Sequence, residues 1–263
     1  MPRKQRRLRR WIVSIVVSLA LCGSDLRAES IPIIAAASNL RFALAEVAEK
    51  FERESGSKLR FVFGSSGNFY SQLLQGAPFH LFMSADESFV VKLAAAKKTV
   101  DRGRVYAIGR IGIIVPHGSA VKADVGLKDL ALAVADGRLR KFAIANPEHA
   151  PYGARTKQAL LHVGLWSGLQ EKLVLGENIS QAAQFATSGS TEGGVIALSL
   201  AKAPVFAHVG EFALIPDDWH EPLRQRMVLL KGAPPSVRAF YNYLGSANAQ
   251  EIMVRYGFSM PEA

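Results

Sequence analysis

The chain holds one cysteine, Cys22, and so can form neither an internal disulfide nor a thiolate metal cage. Its six histidines (His80, His117, His149, His162, His208 and His220) show no H-x-x-x-H spacing, which argues against a metal ion held directly by side chains. Neither G-x-x-x-x-G-K-[ST] nor G-x-G-x-x-G occurs, so the usual glycine signatures of nucleotide sites are missing. Ser66 lies in GSSGN, where Asn68 replaces the second glycine of a G-x-S-x-G nucleophile elbow. No apolar run approaches the roughly 20 residues of a membrane-spanning helix; the run Trp11 to Cys22 is too short. There is no internal repeat and no low-complexity segment.

Acidic residues are outnumbered 22 to 32 by lysine and arginine, a net charge of +10. The excess is concentrated at one end. Residues 1–28 carry seven of the cations and one acid, leaving 25 basic and 21 acidic residues, or +4, in the rest. A surplus so placed argues against nucleic acid as the partner. Instead, Arg3, Lys4, Arg6, Arg7, Arg9 and Arg10, the apolar run, and the polar SDLRAES with small Ala28 have the three-part layout of a secretory signal peptide ending at about residue 28. Leu21 stands before Cys22, where a lipoprotein signal would have a small residue, so Cys22 reads as part of the apolar region. The mature chain then has no cysteine, and a periplasmic address is expected.

From Ser30 on, the pattern alternates strand and helix. A strand at Ser30–Ala37 leads to a helix that starts at Ser38-Asn39, with Leu40, Leu44, Val47, Ala48 and Phe51 as its apolar stripe and Gly56 at its end. Lys58–Gly64 predicts the second strand, and the turn Gly64-Ser65-Ser66-Gly67 opens a helix carrying Phe69, Leu73 and Leu74, with Ser65 or Ser66 as its cap. A third strand at Phe79–Ser84 precedes a helix opened by Ala85-Asp86-Glu87, with Asp86 as a capping or loop-orienting carboxylate. This order implies an α/β protein with a parallel sheet, whose ligands bind beyond the C-terminal strand ends.

Tyr106–Pro116 predicts a long strand passing into a second domain, with Gly109 and Gly112 inside it. Further strands are expected at Lys141–Ala145, Leu173–Leu175, Gly193–Leu198 and Val205–His208. Helices are expected after Pro151, which suits a first turn, and after Asn178, a good N-cap. Arg226–Leu230 should recross to the first domain before two final helices.

Four strand-to-helix junctions carry the chemistry: Ser38-Asn39, Ser65-Ser66, Pro151-Tyr152-Gly153 and Asn178-Ile179. Each helix start carries about half a positive charge and unpaired N–H groups. If the two domains face each other, neutral hydroxyls and amides could hold a small dianion without a counter-ion. Four ordinary helix caps explain the same residues. Arg41, one turn into the first helix, reads as a solvated surface arginine that could add charge near an anion.

The strings AAASNL, FGSSG, GAPFHLFMSAD and ANPEHAPYG, in this order, resemble the periplasmic molybdate-binding proteins of ABC importers. The resemblance implies a type II periplasmic-binding-protein fold: two Rossmann-like lobes, 29–108 plus 232–263 and 109–231, joined by two crossover strands around a ligand cleft. It implies no catalysis and no cofactor. Molybdenum enters only within the oxyanion molybdate, with tungstate as an alternative ligand, held by hydrogen bonds with no protein–metal bond. By position, Ser38 and Ser66 match hydroxyl ligands, Asn39 an amide contact, Tyr152 a second-lobe loop contact and Ile179 a backbone N–H contact. The expected partners are the oxyanion and an inner-membrane ABC permease with its ATPase, and the expected state is a monomer. One departure stands out. Many members carry a donor tyrosine in a G-I-V-Y string, and here the equivalent string is Gly194-Val195-Ile196-Ala197, while Tyr152 stands in the APYG loop. The ranking of molybdate, tungstate and sulfate therefore stays open. Outside this reading, an effector-binding regulatory domain shares the fold, but the leader and the absence of a helix-turn-helix segment argue against it. An enzyme on the same fold lacks a base–nucleophile pair or a metal constellation.

Overall fold

Short runs rich in Ile, Val, Ala and Phe form ten strands in two five-stranded sheets, in a computed structural model that describes residues 31–261. The expected leader, residues 1–28, lies outside the described residues. In the first sheet, β1 (Ile33–Ala37) pairs in parallel with β2 (Arg60–Gly64) and β3 (Leu81–Ser84). Strand β10 (Leu223–Leu229) then pairs antiparallel with β3 and with β4 (Arg104–Gly109), giving the order β2-β1-β3-β10-β4. The sheet is thus mixed rather than purely parallel.

Each of the first three strands hands on to a helix. After β1 a 3₁₀ turn, Ser38–Leu40, runs into α1 (Arg41–Ser55), whose Leu44, Val47 and Phe51 are buried. Burying such a side chain contributes about 1.5–3 kcal/mol. Gly56 ends α1 in the left-handed conformation (φ 70°), and its N–H reaches Glu52 O. Helix α2 (Ser66–Leu74) follows β2, and α3 (Glu87–Ala95) follows β3, capped by the Asp86 carboxylate on Ser88 N at 2.8 Å.

The second sheet has the order β7-β6-β8-β5-β9. Its strands are β5 (Ile111–Pro116), β6 (Phe142–Ala145), β7 (Leu173–Gly176), β8 (Gly194–Ala197) and β9 (Gly210–Leu214). Helices α4 (Lys128–Ala135) and α5 (Pro151–His162), the short α6 (Trp166–Leu169), α7 (Ile179–Thr187) and the short α8 (Leu198–Ala201) accompany them. The chain then closes with α9 (Pro235–Tyr243) and α10 (Ala247–Arg255).

The expected strand Tyr106–Pro116 is two strands broken at Arg110, where the chain leaves the first sheet for the second. The return runs through residues 215–222, between β9 and β10. The two crossings are stapled together: Arg110 reaches Ile215 O at 3.4 Å and Asp217 at 3.3 Å. A lobe boundary at 231 would put β10 with the second sheet, whereas it pairs with β3 and β4 of the first, so the return crossing lies before Leu223.

Two further expectations change. Residues 205–208 are not a strand. Pro204 lacks an N–H and fixes φ, and Pro204–Phe206 is a 3₁₀ turn closed by Phe206 N on Ala203 O at 2.9 Å. The strand there is β9, beginning at Gly210. Helix α4 was not anticipated. Leu127, Leu130 and Ala133 give it a buried side, and the Asp124 carboxylate accepts from Lys128 N and Asp129 N at its start.

Candidate functional site

Each of the four junctions identified in the sequence sits where a strand ends and a helix begins. Ala37 ends β1, Gly64 ends β2 and Gly176 ends β7, while Ala145 ends β6 a few residues before α5. The structure brings all four to one small cavity. Ser38, Asn39, Ser66, Tyr152 and Ile179 all line it, and Ser65, Ala85 and Asn178 complete the polar part of the wall. No charged side chain is in the lining. Arg41 is exposed and stacks on the Phe63 ring, 5.7 Å from its centroid.

The proton inventory of the three hydroxyls decides what such a wall can hold. Ser66 Oγ accepts from Ala85 N at 2.9 Å. Ser38 Oγ accepts from Ser180 N at 3.3 Å. Tyr152 Oη accepts from Gln225 Nε2 at 3.0 Å. Each oxygen is thus engaged as an acceptor by a protein N–H, and no hydrogen bond among the described residues uses the hydroxyl proton of Ser38, Ser66 or Tyr152. Three buried O–H groups remain as donors around one cavity. The first-turn N–H groups of the helices, which have no acceptor inside their own helix, add to them. Asn39 Oδ1, a buried acceptor without a partner, is the exception; a wall otherwise rich in donors and without a cation suits an anion with many lone pairs.

Burial pushes the Tyr152 phenol well above its ordinary pKa, against the pull of Gln225, Asn39 and Ser199 beside it. Its proton is therefore retained, and the group acts as a donor.

Neither serine expected to cap α2 does so with its side chain. Ser65 Oγ instead donates to His149 O, while Ser66 Oγ points back to Ala85 N. Asn178 does cap α7, accepting from Ser180 N and Gln181 N at 3.0 and 3.1 Å. Asn39 uses its side-chain Nδ2 on Gln225 Oε1 at 3.1 Å.

The elements of the first sheet grip those of the second all round the cavity. Gly67 N donates to His149 O at 3.0 Å, Ser180 Oγ to Ser38 O at 2.9 Å, and Ser199 Oγ to Asn39 O at 2.9 Å. Arg155 on α5 reaches Asp86, the cap of α3, at 3.0 Å, with both side chains mostly buried. Gly67 is required by this approach: a Cβ there would lie 2.5 Å from His149 O.

Comparison with known proteins fits this architecture. Residues 33–259 match the model of a family described as bacterial extracellular solute-binding protein. The chain belongs to that family. Among its relatives, the molybdate-binding protein ModA of Azotobacter vinelandii is 33% identical over 96% of this chain and 98% of its own length. ModA of Rhodobacter capsulatus is 35% identical over 86% of this chain and 87% of its own. The solved structure of the Azotobacter vinelandii periplasmic molybdate-binding protein superposes with a TM-score of 0.79, at 28% identity, covering 88% of this chain and 100% of that one. The chain is thus a solute-binding protein rather than an enzyme, with the fold of the periplasmic binding proteins.

For a solute-binding protein the cavity at the strand ends is the expected place for the solute. Reasoning from sequence missed three groups that hold its wall residues: Gln225, His149 and the Ala85 N–H. Gln225 gave a faint signal, a polar residue between Leu223 and Met227 on the face where β10 is otherwise buried.

Proposed function

We propose that this protein captures molybdate in the periplasm and delivers it to a membrane ABC permease. The observation that carries the reading is the set of three buried hydroxyls, Ser38, Ser66 and Tyr152, whose oxygens are held by N–H groups and whose protons are left for a guest in an uncharged cavity. The two relatives named for molybdate, at 33% and 35% identity, support molybdate as that guest. Ser38, Ser66 and Tyr152 act as O–H donors, and Asn39 and Ile179 act through the N–H groups of their helix starts. A buried dianion needs nearly every lone pair met, and donors anchored to strand ends are too rigid to follow a smaller anion inward. Discrimination against sulfate follows from that rigidity. Because the cation-rich leader at 1–28 directs export, the mature protein is expected to begin near Glu29.

One departure favours a second reading. Ala197, fully buried at the end of β8, offers no hydroxyl where many molybdate binders have tyrosine. If that loss loosens the size filter, sulfate or tungstate competes. Isothermal titration calorimetry of the mature protein with molybdate, tungstate, sulfate and phosphate separates the cases. Tight one-to-one binding of molybdate with sulfate silent is the expected result. Sulfate binding as tightly as molybdate would replace the first reading with the second, and silence with all four would remove both.

A further inference from the structure

A phenol can donate only one hydrogen bond, so the direction of the Tyr152 proton depends on what its oxygen meets. The residue that sets it is not on the same sheet. Gln225 lies on β10, fully buried, and donates from Nε2 to Tyr152 Oη at 3.0 Å, across the space between the two sheets. A side-chain amide could equally turn its oxygen toward the phenol, which would then spend its proton on Gln225 and leave the cavity without it. Gln225 Oε1 accepts from Asn39 Nδ2 at 3.1 Å and from Tyr106 Oη at 2.9 Å. Reversing the amide would set Nε2 against the Asn39 Nδ2 donor and would make Tyr106 give up its 2.9 Å bond for the longer one to Ser84 O at 3.3 Å.

The backbone is shaped for the same contact. The β10–β4 register shifts between Gln225 and Arg226, a bulge of the kind that re-aims a side chain next to a site. On the facing strand β4, Gly109 leaves the space the pair occupies: a Cβ there would lie 2.3 Å from Tyr152 Oη and 2.6 Å from Gln225 Nε2.

We infer that Gln225 is a positioning residue: held by Asn39 and Tyr106, it fixes the Tyr152 hydroxyl as a donor toward the oxyanion and does so only when the two lobes are together. The inference rests on the oxyanion reading above and deepens it. Gln225 is not among the residues that line the cavity. It makes one donor of the second lobe depend on a side chain of the first, so that the complete donor set exists only after closure.

The test is a double-mutant cycle read by calorimetry with molybdate, with wild type, Tyr152→Phe, Gln225→Met and the pair. The expected result is about a tenfold loss of affinity for each single variant and no further loss when Gln225→Met is added to Tyr152→Phe, because the only effect of Gln225 passes through that hydroxyl. Tyr106→Phe, a milder change that only frees the amide to turn, should lose about threefold in wild type and nothing in the Tyr152→Phe background. It keeps the test decisive if Gln225→Met does not fold. Thermal unfolding without molybdate separates a packing defect, which would lower Tm and reduce affinity equally in both backgrounds. Equal losses in both backgrounds would overturn the inference while leaving the oxyanion reading intact, as would wild-type affinity in Tyr152→Phe. A wild-type protein that binds no oxyanion would overturn both.

Discussion

The two walls of the cavity hold their donors by different means. On the first-sheet wall, Ser38 and Ser66 are short side chains at strand ends, and their proton directions are set by backbone N–H groups of Ser180 and Ala85. On the second-sheet wall, Ile179 offers only backbone, and the one hydroxyl, Tyr152, stands at the end of a long ring and is aimed by a side chain from the opposite lobe. A donor oriented by backbone changes little when neighbouring side chains change. A donor oriented through Gln225 depends on four buried side chains at once. The second wall is therefore where related proteins can vary their chemistry, and it is where this chain departs from its resemblance, with Ala197 in the β8 string and tyrosine in the α5 loop.

The largest effect should come from keeping the walls apart. Gly67→Ala places a methyl group 2.5 Å from His149 O, so closure is blocked. The empty protein should be as stable as wild type or up to about 1 kcal/mol more so, since alanine suits a helix better than glycine. Molybdate affinity should fall at least 100-fold by calorimetry; an unchanged affinity would show that the two walls need not meet.

Removing one donor from the first wall comes next. Ser66→Ala deletes a hydrogen bond to a charged guest, roughly 1.5–3 kcal/mol, or about 10- to 100-fold in Kd. Ser38→Ala should match it. A loss confined to Tyr152→Phe would reverse the comparison and make the second wall the principal one.

A smaller effect is expected from the rim. Asp86→Asn keeps a good cap on α3 and removes the charge that meets Arg155 across the cleft. Affinity should fall severalfold, and the melting temperature of the empty protein should move by only a few degrees.

The smallest effect is with pH. Tyr152 is a neutral acid whose pKa burial raises above its ordinary value of 10.0. Its proton is present below that value and is lost only above the raised one. Molybdate affinity should therefore stay flat from pH 7.5 to 9.5. In the same way, the stability contributed by the protonated phenol is present below pH 10 and declines as pH rises through the folded-state value. A fall in affinity centred near pH 10 would instead show that the phenol titrates at its ordinary value.

What was legible in the sequence was what local chemistry writes down. Ser38-Asn39, Ser65-Ser66, Pro151 and Asn178 mark helix starts through residues whose propensities act within a few positions. The apolar strand runs before them made the alternation visible. What was illegible depended on distant partners. Gln225 sits 73 residues from Tyr152 and 186 from Asn39, and within LRQRMVL its place on the buried face hints at a role but names no partner. The crossing at Arg110 was legible in Gly109 and Gly112, but the division into two strands was hidden for a related reason. YAIGRIGIIVP is one apolar run, and only the pairing of its halves with β10 and with β8 and β9 divides it. At Val205–His208 apolar content outweighed the preceding proline, and the true strand began two residues later.

The absence of any charged side chain from the cavity lining has an electrical consequence. A dianion enters without displacing a counter-ion and meets no group in the lining poised to gain or lose a proton. The loaded protein then carries two more negative charges than the empty one, at unchanged composition. On residues 29–263, with a formal charge of only about +4, that is a large fraction of the whole. Filling the cavity should lower the isoelectric point and slow migration toward the cathode in native electrophoresis, which turns cargo that forms no bond to a metal ligand and absorbs little light into a visible band shift.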